Sequence, residues 1–233
     1  MSKQFMKTLA GGAAWIYGEL ELPPAGVSGA SGPLVMGADW MLEMVRFDKG
    51  RRTVGLFYAP FSLVNLDLPE FVAPGKCNFV GLSMSGNPPV AWLKTSVVVD
   101  MGKAPLAVSP DELVQLFVKP LPCKSLEASP DPSALGLAAK RRISETYRMD
   151  IPISEIARGL KISHAHLTRQ FKRDFGITPI NYRHRLRVSE ATGRLFRGDD
   201  ILDVGNDVGF NDTSRFYHGF RKITGVSPGK CRP

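Results

Sequence analysis

ISEIARGLKISHAHLTRQFKRDFGITP, residues 153–179, and ILDVGNDVGFNDTSRFYHGFRKITGVSP, residues 201–228, are two copies of one pattern. Ile153, Ile156, Ala157 and Leu160 return 48 residues later as Ile201, Val204, Gly205 and Val208. That i, i+3, i+4, i+7 spacing places one buried stripe on a short helix. Phe171-Lys172-Arg173 and Gly176-Ile177-Thr178-Pro179 return as Phe220-Arg221-Lys222 and Gly225-Val226-Ser227-Pro228 at an offset of 49, so the second copy gains one residue inside its turn. Each copy reads as a short helix, a tight turn and a longer helix. That is a helix-turn-helix, over about 153–174 and 201–224.

The turns and caps follow from residue type. Gly159 to Ile162 form the first turn and Ser163 caps the helix after it; Gly209 to Asn211 form the second and Asp212 supplies the cap oxygen. Both longer helices end at a glycine suited to the left-handed C-cap, Gly176 and Gly225. On the first of them, Leu167, Phe171 and Phe175 face the core, and Ala165, Arg169, Lys172 and Arg173 lie opposite. A small side chain lets a helix approach base edges, Arg can donate two bonds to guanine, and the later cations can neutralise phosphates. Between the copies, Thr178-Pro179 opens a helix running to about Phe196, with Tyr182, Leu186, Ala191 and Leu195 as packing positions. Such a rod is near 30 Å long, comparable with the roughly 34 Å repeat of DNA.

Charge separates the chain in two. Residues 1–133 hold 11 Lys+Arg and 12 Asp+Glu, whereas residues 134–233 hold 19 and 10, so the +8 net charge resides in the second part. A basic excess confined to one segment suits a polyanion, nucleic acid first and anionic membrane second. Cys77, Cys123 and Cys231 are too widely spaced for a zinc-ligand pair or a disulfide framework and read as reduced thiols. Lys3 to Tyr17 resembles a signal peptide only faintly, because Gly11 and Gly12 dilute its apolar stretch. No run of about 18 apolar residues spans a membrane, and the expected compartment is the cytoplasm.

Residues 1–120 read as a mainly β domain, with short apolar or alternating runs at 14–22, 34–47, 53–68, 78–84 and 91–99 between turn signals. Ser109-Pro110 starts a helix whose apolar side, Leu113, Val114, Leu116 and Phe117, needs a partner: either this domain or a second copy of the chain. Pro120, Pro122, Pro130 and Pro132 mark a linker at 121–133. The fold is therefore a mainly β first domain and an all-α second domain, 134–233, with two helix-turn-helix units joined by a long helix.

The second domain resembles the DNA-binding domain of the AraC/XylS family. Ile156-Ala157, Ser163, Leu167, Phe171-Lys172-Arg173, Gly176-Ile177-Thr178-Pro179, Tyr182 and Arg187 resemble its first half; Val204, Val208-Gly209-Phe210, Phe216, Phe220-Arg221-Lys222 and Gly225-Val226-Ser227-Pro228 resemble its second. The resemblance implies a sequence-specific transcription regulator, usually an activator, that reads two successive major grooves. Carried over by position, base contacts fall on Ala165, Thr168 and Arg169, and on Thr213, Ser214, Tyr217 and His218. Phosphate contacts fall on Lys172, Arg173, Arg215, Arg221 and Lys222. Three positions depart from the pattern: Gly219 inside the second reading helix, Gly205 where Ala is usual, and Cys231 where an aromatic often closes the domain.

Family members commonly carry a cupin-like β-barrel ahead of the reader, which binds an effector or mediates dimerisation. The partners implied are double-stranded DNA, with RNA polymerase, a small-molecule effector and a second copy of the chain left open. No cofactor or metal is implied. A metal-dependent cupin-type enzyme is the alternative, but it needs imidazole or carboxylate ligands, and His164, His166, His184 and His218 all lie in the second domain. His164 and His166, at i, i+2, fall on different sides of a helix. Arg51-Arg52 and Asp111-Glu112 read as a solvated turn and a helix start, and Gly-rich Ser28 to Gly32 lacks a phosphate-binding pattern. Trp15, Trp40, Phe57, Tyr58, Phe61 and Trp92 read as core. A regulator whose first domain binds only protein partners is the third reading.

Overall fold

The computed structural model describes residues 3–8, 14–22, 34–47, 52–64, 75–84, 86–87, 95–127 and 131–232. The expectations for Ser28 to Gly32, Arg51, Trp92, Pro130 and residues 65–68 and 91–94 lie outside them. The chain forms two compact units, residues 1–34 with 38–127, and residues 128–233 with 35–37. No described helix is long and apolar enough to cross a membrane.

The first unit is antiparallel β structure. Strands β1 (Lys3–Thr8), β2 (Ala14–Leu22), β4 (Trp40–Phe47), β5 (Arg52–Tyr58), β7 (Gly75–Met84), β8 (Val97–Asp100) and β9 (Cys123–Ser125) form one seven-stranded sheet in the order β1-β2-β7-β4-β5-β8-β9. The two-residue strands β3 (Leu34–Val35) and β6 (Leu63–Val64) lie outside it. β1 occupies the stretch that resembled a leader, and pairs with β2 from Lys3↔Glu19 to Thr8↔Ala14. β9 falls within the proline-rich stretch 121–133: Cys123-Lys124-Ser125 is free of proline, so its amide groups can join the ladder to β8.

Directly opposed residues share a face of the sheet, so register decides what is buried. Trp15, Leu82, Leu42, Phe57 and Val97 form one row across five strands, and Val80, Met44, Gly55 and Val99 belong to the next row. Helix α1 (Pro110–Leu116) lies on this face, with Leu113 and Phe117 fully buried in the same core. Gly55 makes that approach possible, since a Cβ there would come within 2.6 Å of the Phe117 ring. The apolar side of α1 is thus met largely by its own sheet, while Leu116 and Val118 stay exposed. The Ser109 hydroxyl caps α1 by accepting from the Glu112 amide at 3.2 Å, and the Glu112 carboxylate accepts from the Val108 amide at 2.7 Å. Arg52 forms an ion pair with Asp100 across β5 and β8, and that hydrogen bond holds the aspartate below its ordinary range. Of the charged pairs read as a solvated turn and a helix start, Arg52 and Glu112 thus each hold a partner.

The opposite face carries one feature out of character with a sheet core. Glu43, on the central strand, accepts a hydrogen bond from the Tyr58 hydroxyl at 3.2 Å, and burial pushes its carboxyl up to about 7.

The second unit is helical: α2 (Ala134–Thr146), α3 (Ile153–Gly159), α4 (His164–Phe175), α5 (Pro179–Phe196), α6 (Ile201–Asp207), α7 (Thr213–Thr224) and a final 3-10 turn, Pro228–Cys231. α5 is its axis. The four packing positions expected for it, Tyr182, Leu186, Ala191 and Leu195, are all fully buried. Near its start Tyr182 stacks on Phe171 at 5.5 Å, and further along Val188, Ala191 and Leu195 share a core with Val204, Val208, Phe210, Phe216, Phe220 and Cys231.

Two arginines are buried on the same helix. Arg187 Nε donates to the Tyr147 carbonyl at 2.6 Å and Nη2 to the Met149 carbonyl at 3.0 Å, and Arg183 donates to the carbonyl of Ile151. These carbonyls belong to the connection between α2 and α3, which makes no regular ladder of its own and must find donors elsewhere. Burial, with Arg183 nearby, lowers Arg187 to about 10, so it remains charged at neutral pH.

Two outcomes follow. Arg187→Ala strands two carbonyl groups, and chemical denaturation should show a loss of about 3 kcal/mol, with Arg187→Lys restoring only part because an ammonium lacks the planar fork. Glu43 holds its proton in the folded chain above the value of a free carboxyl. Its contribution is therefore complete below about 4.5 and is lost as pH rises through about 7. Melting curves should show the native protein losing more stability than Glu43→Gln over that interval.

Candidate nucleic-acid interface

The two repeats fold with one backbone device at their turns. In the first, the Ile162 amide donates to the Ala157 carbonyl at 3.1 Å; 48 residues on, the Phe210 amide donates to the Gly205 carbonyl at 3.0 Å. The residue preceding each donor is left-handed, Lys161 at φ 58° and Gly209 at φ 95°. Gly159, read as part of the turn, instead ends α3, so a lysine holds the strained position. Gly209 has a second reason to be glycine: a Cβ there would lie 2.3 Å from the Arg148 carbonyl oxygen. The extra residue of the second turn, Asn211, donates to Asp150 at 3.0 Å.

The next helices start and stop as their residues dictate. Ser163 caps α4 by accepting from the His166 amide at 3.2 Å, and Asp212 caps α7 by accepting from the Arg215 amide at 2.9 Å. Gly176 and Gly225 end them at φ 73° and 79°, donating to the carbonyls of Lys172 and Arg221. Leu167, Phe171 and Phe175 are buried on α4, and Phe216 and Phe220 on α7. The side chains facing out are then fixed by the 3.6-residue period.

Alignment of the caps superposes Ala165 on Ser214, Thr168 on Tyr217, Arg169 on His218, Lys172 on Arg221 and Arg173 on Lys222. Ala165, Arg169, Lys172 and Arg173 are exposed, and Thr168 is half-buried. Thr213, Ser214, Arg215, Tyr217, His218, Arg221 and Lys222 are exposed. Each longer helix therefore presents small or hydrogen-bonding side chains early and cations later. Tyr217 remains 39% exposed although its ring meets Phe216 edge-on at 5.9 Å, an aromatic kept outside the core. Arg173 differs from its neighbours, since it donates to Gln170 at 2.7 Å and lies 3.9 Å from Asp174.

Three groups that support this surface escaped the sequence reading. Gln170 donates to Ser133 at 2.8 Å and to Asp174 at 2.9 Å, and Ser133 donates to Asp174 while capping α2. Burial works against the Asp174 charge, but the hydrogen bonds from Ser133 and Gln170 outweigh it and hold the carboxyl below its ordinary range. Arg183 went unnoticed, and Arg187 was named only through resemblance; the available signal was a pair of arginines at i, i+4 on the stripe that holds Tyr182 and Leu186.

Two of the three departures have local explanations. Gly205 lies under Phe216, where a Cβ would sit 3.1 Å from the ring, so α6 and α7 approach closely. Gly219 has no such neighbour: a Cβ would meet Phe210 at an ordinary 3.5 Å. Cys231 fills the closing position as a buried apolar group. His184 packs on the Phe210 ring at 6.2 Å, and burial, then Arg187, Arg183 and Lys222, push its imidazole down. Among the described residues no group of three or more His, Cys, Asp or Glu could hold a metal ion.

A family described as a helix-turn-helix domain matches residues 156–233. The HTH-type transcriptional activator RhaS of Pectobacterium carotovorum is 32% identical over 91 residues, 39% of this chain and 33% of RhaS. The transcriptional regulatory protein HptR of Staphylococcus aureus is 26% identical over 87 residues, 37% of this chain and 34% of HptR. The match thus spans about a third of the length of these curated relatives. Among solved structures, the C-terminal domain of AraT, a response regulator from Geobacillus stearothermophilus, covers 43% of this chain and 84% of its own at 26% identity, with a TM-score of 0.41. The helical unit is a helix-turn-helix domain of the AraC type.

The two turns should respond differently to substitution. Gly209→Ala is expected to cost about 2 kcal/mol or more, because left-handed strain and a backbone clash add. Lys161→Gly should be neutral or stabilising by up to about 1 kcal/mol. Urea melts of the two variants check the contrast.

Proposed function

We propose that this chain is a sequence-specific transcription regulator whose α4 and α7 enter successive major grooves, while its first unit tunes that binding in response to a small molecule. The reading rests on one observation: the same order of exposed side-chain types, small or hydrogen-bonding early and cationic later, occurs on two equivalent helices at either side of α5. With 18 residues α5 is about 27 Å long, of the order of the helical repeat of DNA. The basic excess of residues 134–233 supports the same reading. In the proposed complex Ala165, Thr168 and Arg169 read one groove and Thr213, Ser214, Tyr217 and His218 the other. Lys172, Arg215, Arg221 and Lys222 neutralise phosphates, and Arg173 joins them by giving up Gln170. RhaS is named an activator, and activation, through contact with RNA polymerase, is the output proposed here.

Selection of bound duplexes from a random pool with the full chain should return a site spanning two turns of DNA, with affinity falling steeply as salt rises. On that site Arg169→Ala should cost about 1–3 kcal/mol and relax the preference at one base pair. Lys172→Ala should weaken all duplexes alike and lower the salt slope by about one unit. Equal losses for Arg169→Ala on selected and scrambled duplexes would remove it from the reading face. A chain that recovers no preferred sequence is no specific regulator.

A further inference from the structure

Glu43 stands at the centre of the first unit, on the middle strand of seven. Its row across the sheet is Ile16, Gly81, Glu43, Leu56 and Val98. The row on one side holds Met41, Ser83 and Tyr58, and that on the other Val45, Phe79 and Val54. On the strands flanking β4 none of these neighbours carries a charge; the cation of Glu43's row, Lys124, stands three strands away on β9, and Asp100, beyond Val54 in the next row, is paired with Arg52. Tyr58 donates its hydroxyl to one carboxyl oxygen at 3.2 Å. A charge so placed is disfavoured in a medium of low polarity, and a leucine on a central strand would avoid that cost.

Exposure shows where this face opens. Val45, Phe79, Val54, Leu56 and Tyr58 are buried, whereas Ile16, Met41, Glu43 and Ser83 are half-buried. The open end therefore has an apolar wall and a floor that carries the Glu43 carboxyl, with the Tyr58 hydroxyl bonded to it and Ser83 in the adjacent row. Opposite Glu43 stands Gly81, whose missing side chain leaves room beside the carboxyl; a Cβ there would come no nearer to Glu43 than 3.9 Å.

We propose that this open end of the sheet binds a small organic cation, an alkyl or aryl amine, with Glu43 taking the ammonium group and Ile16, Met41 and Leu56 its apolar body. An ammonium group supplies both the charge and the hydrogen-bond donors that a carboxylate among Ile16, Gly81, Leu56 and Val98 lacks. Tyr58, already donating to Glu43, fixes the oxygen that it holds and leaves the other for the ligand. Burial holds the empty carboxyl near neutrality, so the ligand binds the ionised form and affinity rises with pH until Glu43 has lost its proton. The inference rests on the reading that the first unit responds to a small molecule, and it names the class of that molecule.

Calorimetric titration of the full chain at about pH 8 with n-hexylamine, benzylamine, 1-hexanol and hexanoate tests it. The amines should bind saturably, at least tenfold tighter than the alcohol, and the carboxylate should not bind. Affinity for the amines should fall by tenfold or more near pH 5.5, where Glu43 is protonated. Glu43→Gln should abolish the preference for amine over alcohol, with its folding verified by melting and by retention on the selected duplex; Tyr58→Phe should weaken amine binding less. Failure of both amines to bind, equal binding of amine and alcohol, or amine preference surviving in Glu43→Gln would each overturn the proposal. DNA affinity of the same samples separates it from the functional reading. Amine binding in a chain that ignores DNA would sink the regulator and keep the site, and DNA binding without amine binding would do the reverse.

Discussion

Arg187 is the point on which the helical unit turns. Its guanidinium donates into the connection between α2 and α3, and so fixes where α3 starts, since Pro152 at the head of α3 offers no side-chain cap. The same group lies 5.6 Å from the Phe210 ring centre and against Gly209, the turn of the second repeat. One charged side chain thus sets the lead-in to the first helix-turn-helix and the floor beneath the turn of the second. A buried cation is costly, and here backbone carbonyls of defined position offset the cost. Arg183 adds the third carbonyl. Nearby, Glu190 on α5 accepts from the Tyr147 hydroxyl at 2.7 Å and pairs with Arg148, so the C-terminal end of α2 is bound to α5 by side chains as well.

This arrangement explains how much could be read from the residues. The helical unit was legible because helix contacts are local: a 3.6-residue period, a cap oxygen and a C-terminal glycine each lie within a few positions, and the repeat shows them twice. Hence the bounds of α5 and the caps Ser163 and Asp212 followed from the chain alone. The sheet was legible only strand by strand. Its order depends on pairings between residues far apart, such as Glu43 with Gly81, which no local pattern encodes. β1 was masked by its lysines, and β9 by the prolines around it. On α5 the binary pattern misled in the other direction, because arginines on a helix ordinarily mark the solvated face, and two of them here are interior.

The candidate interface divides in the same way. Which residues of α4 point outward followed from the period, those of α7 from the resemblance, and the exposure of both sets agrees. What holds those helices in place did not, because Gln170, Ser133 and Asp174 meet only once α2 packs beside α4. Polar residues that buttress a surface carry no period of their own. They become visible through their partners.

The two repeats share a backbone, yet their outward residues differ: Ala165, Thr168 and Arg169 on one, Ser214, Tyr217 and His218 on the other. Symmetric dimers of identical readers recognise palindromes, because each half presents the same chemistry. Under the proposed function, a single chain with two unlike reading helices on one rod would have no such dyad. Its target would possess a head and a tail, and inverting that target in place would give the protein a different sequence to read. Orientation would then be built into the polypeptide itself.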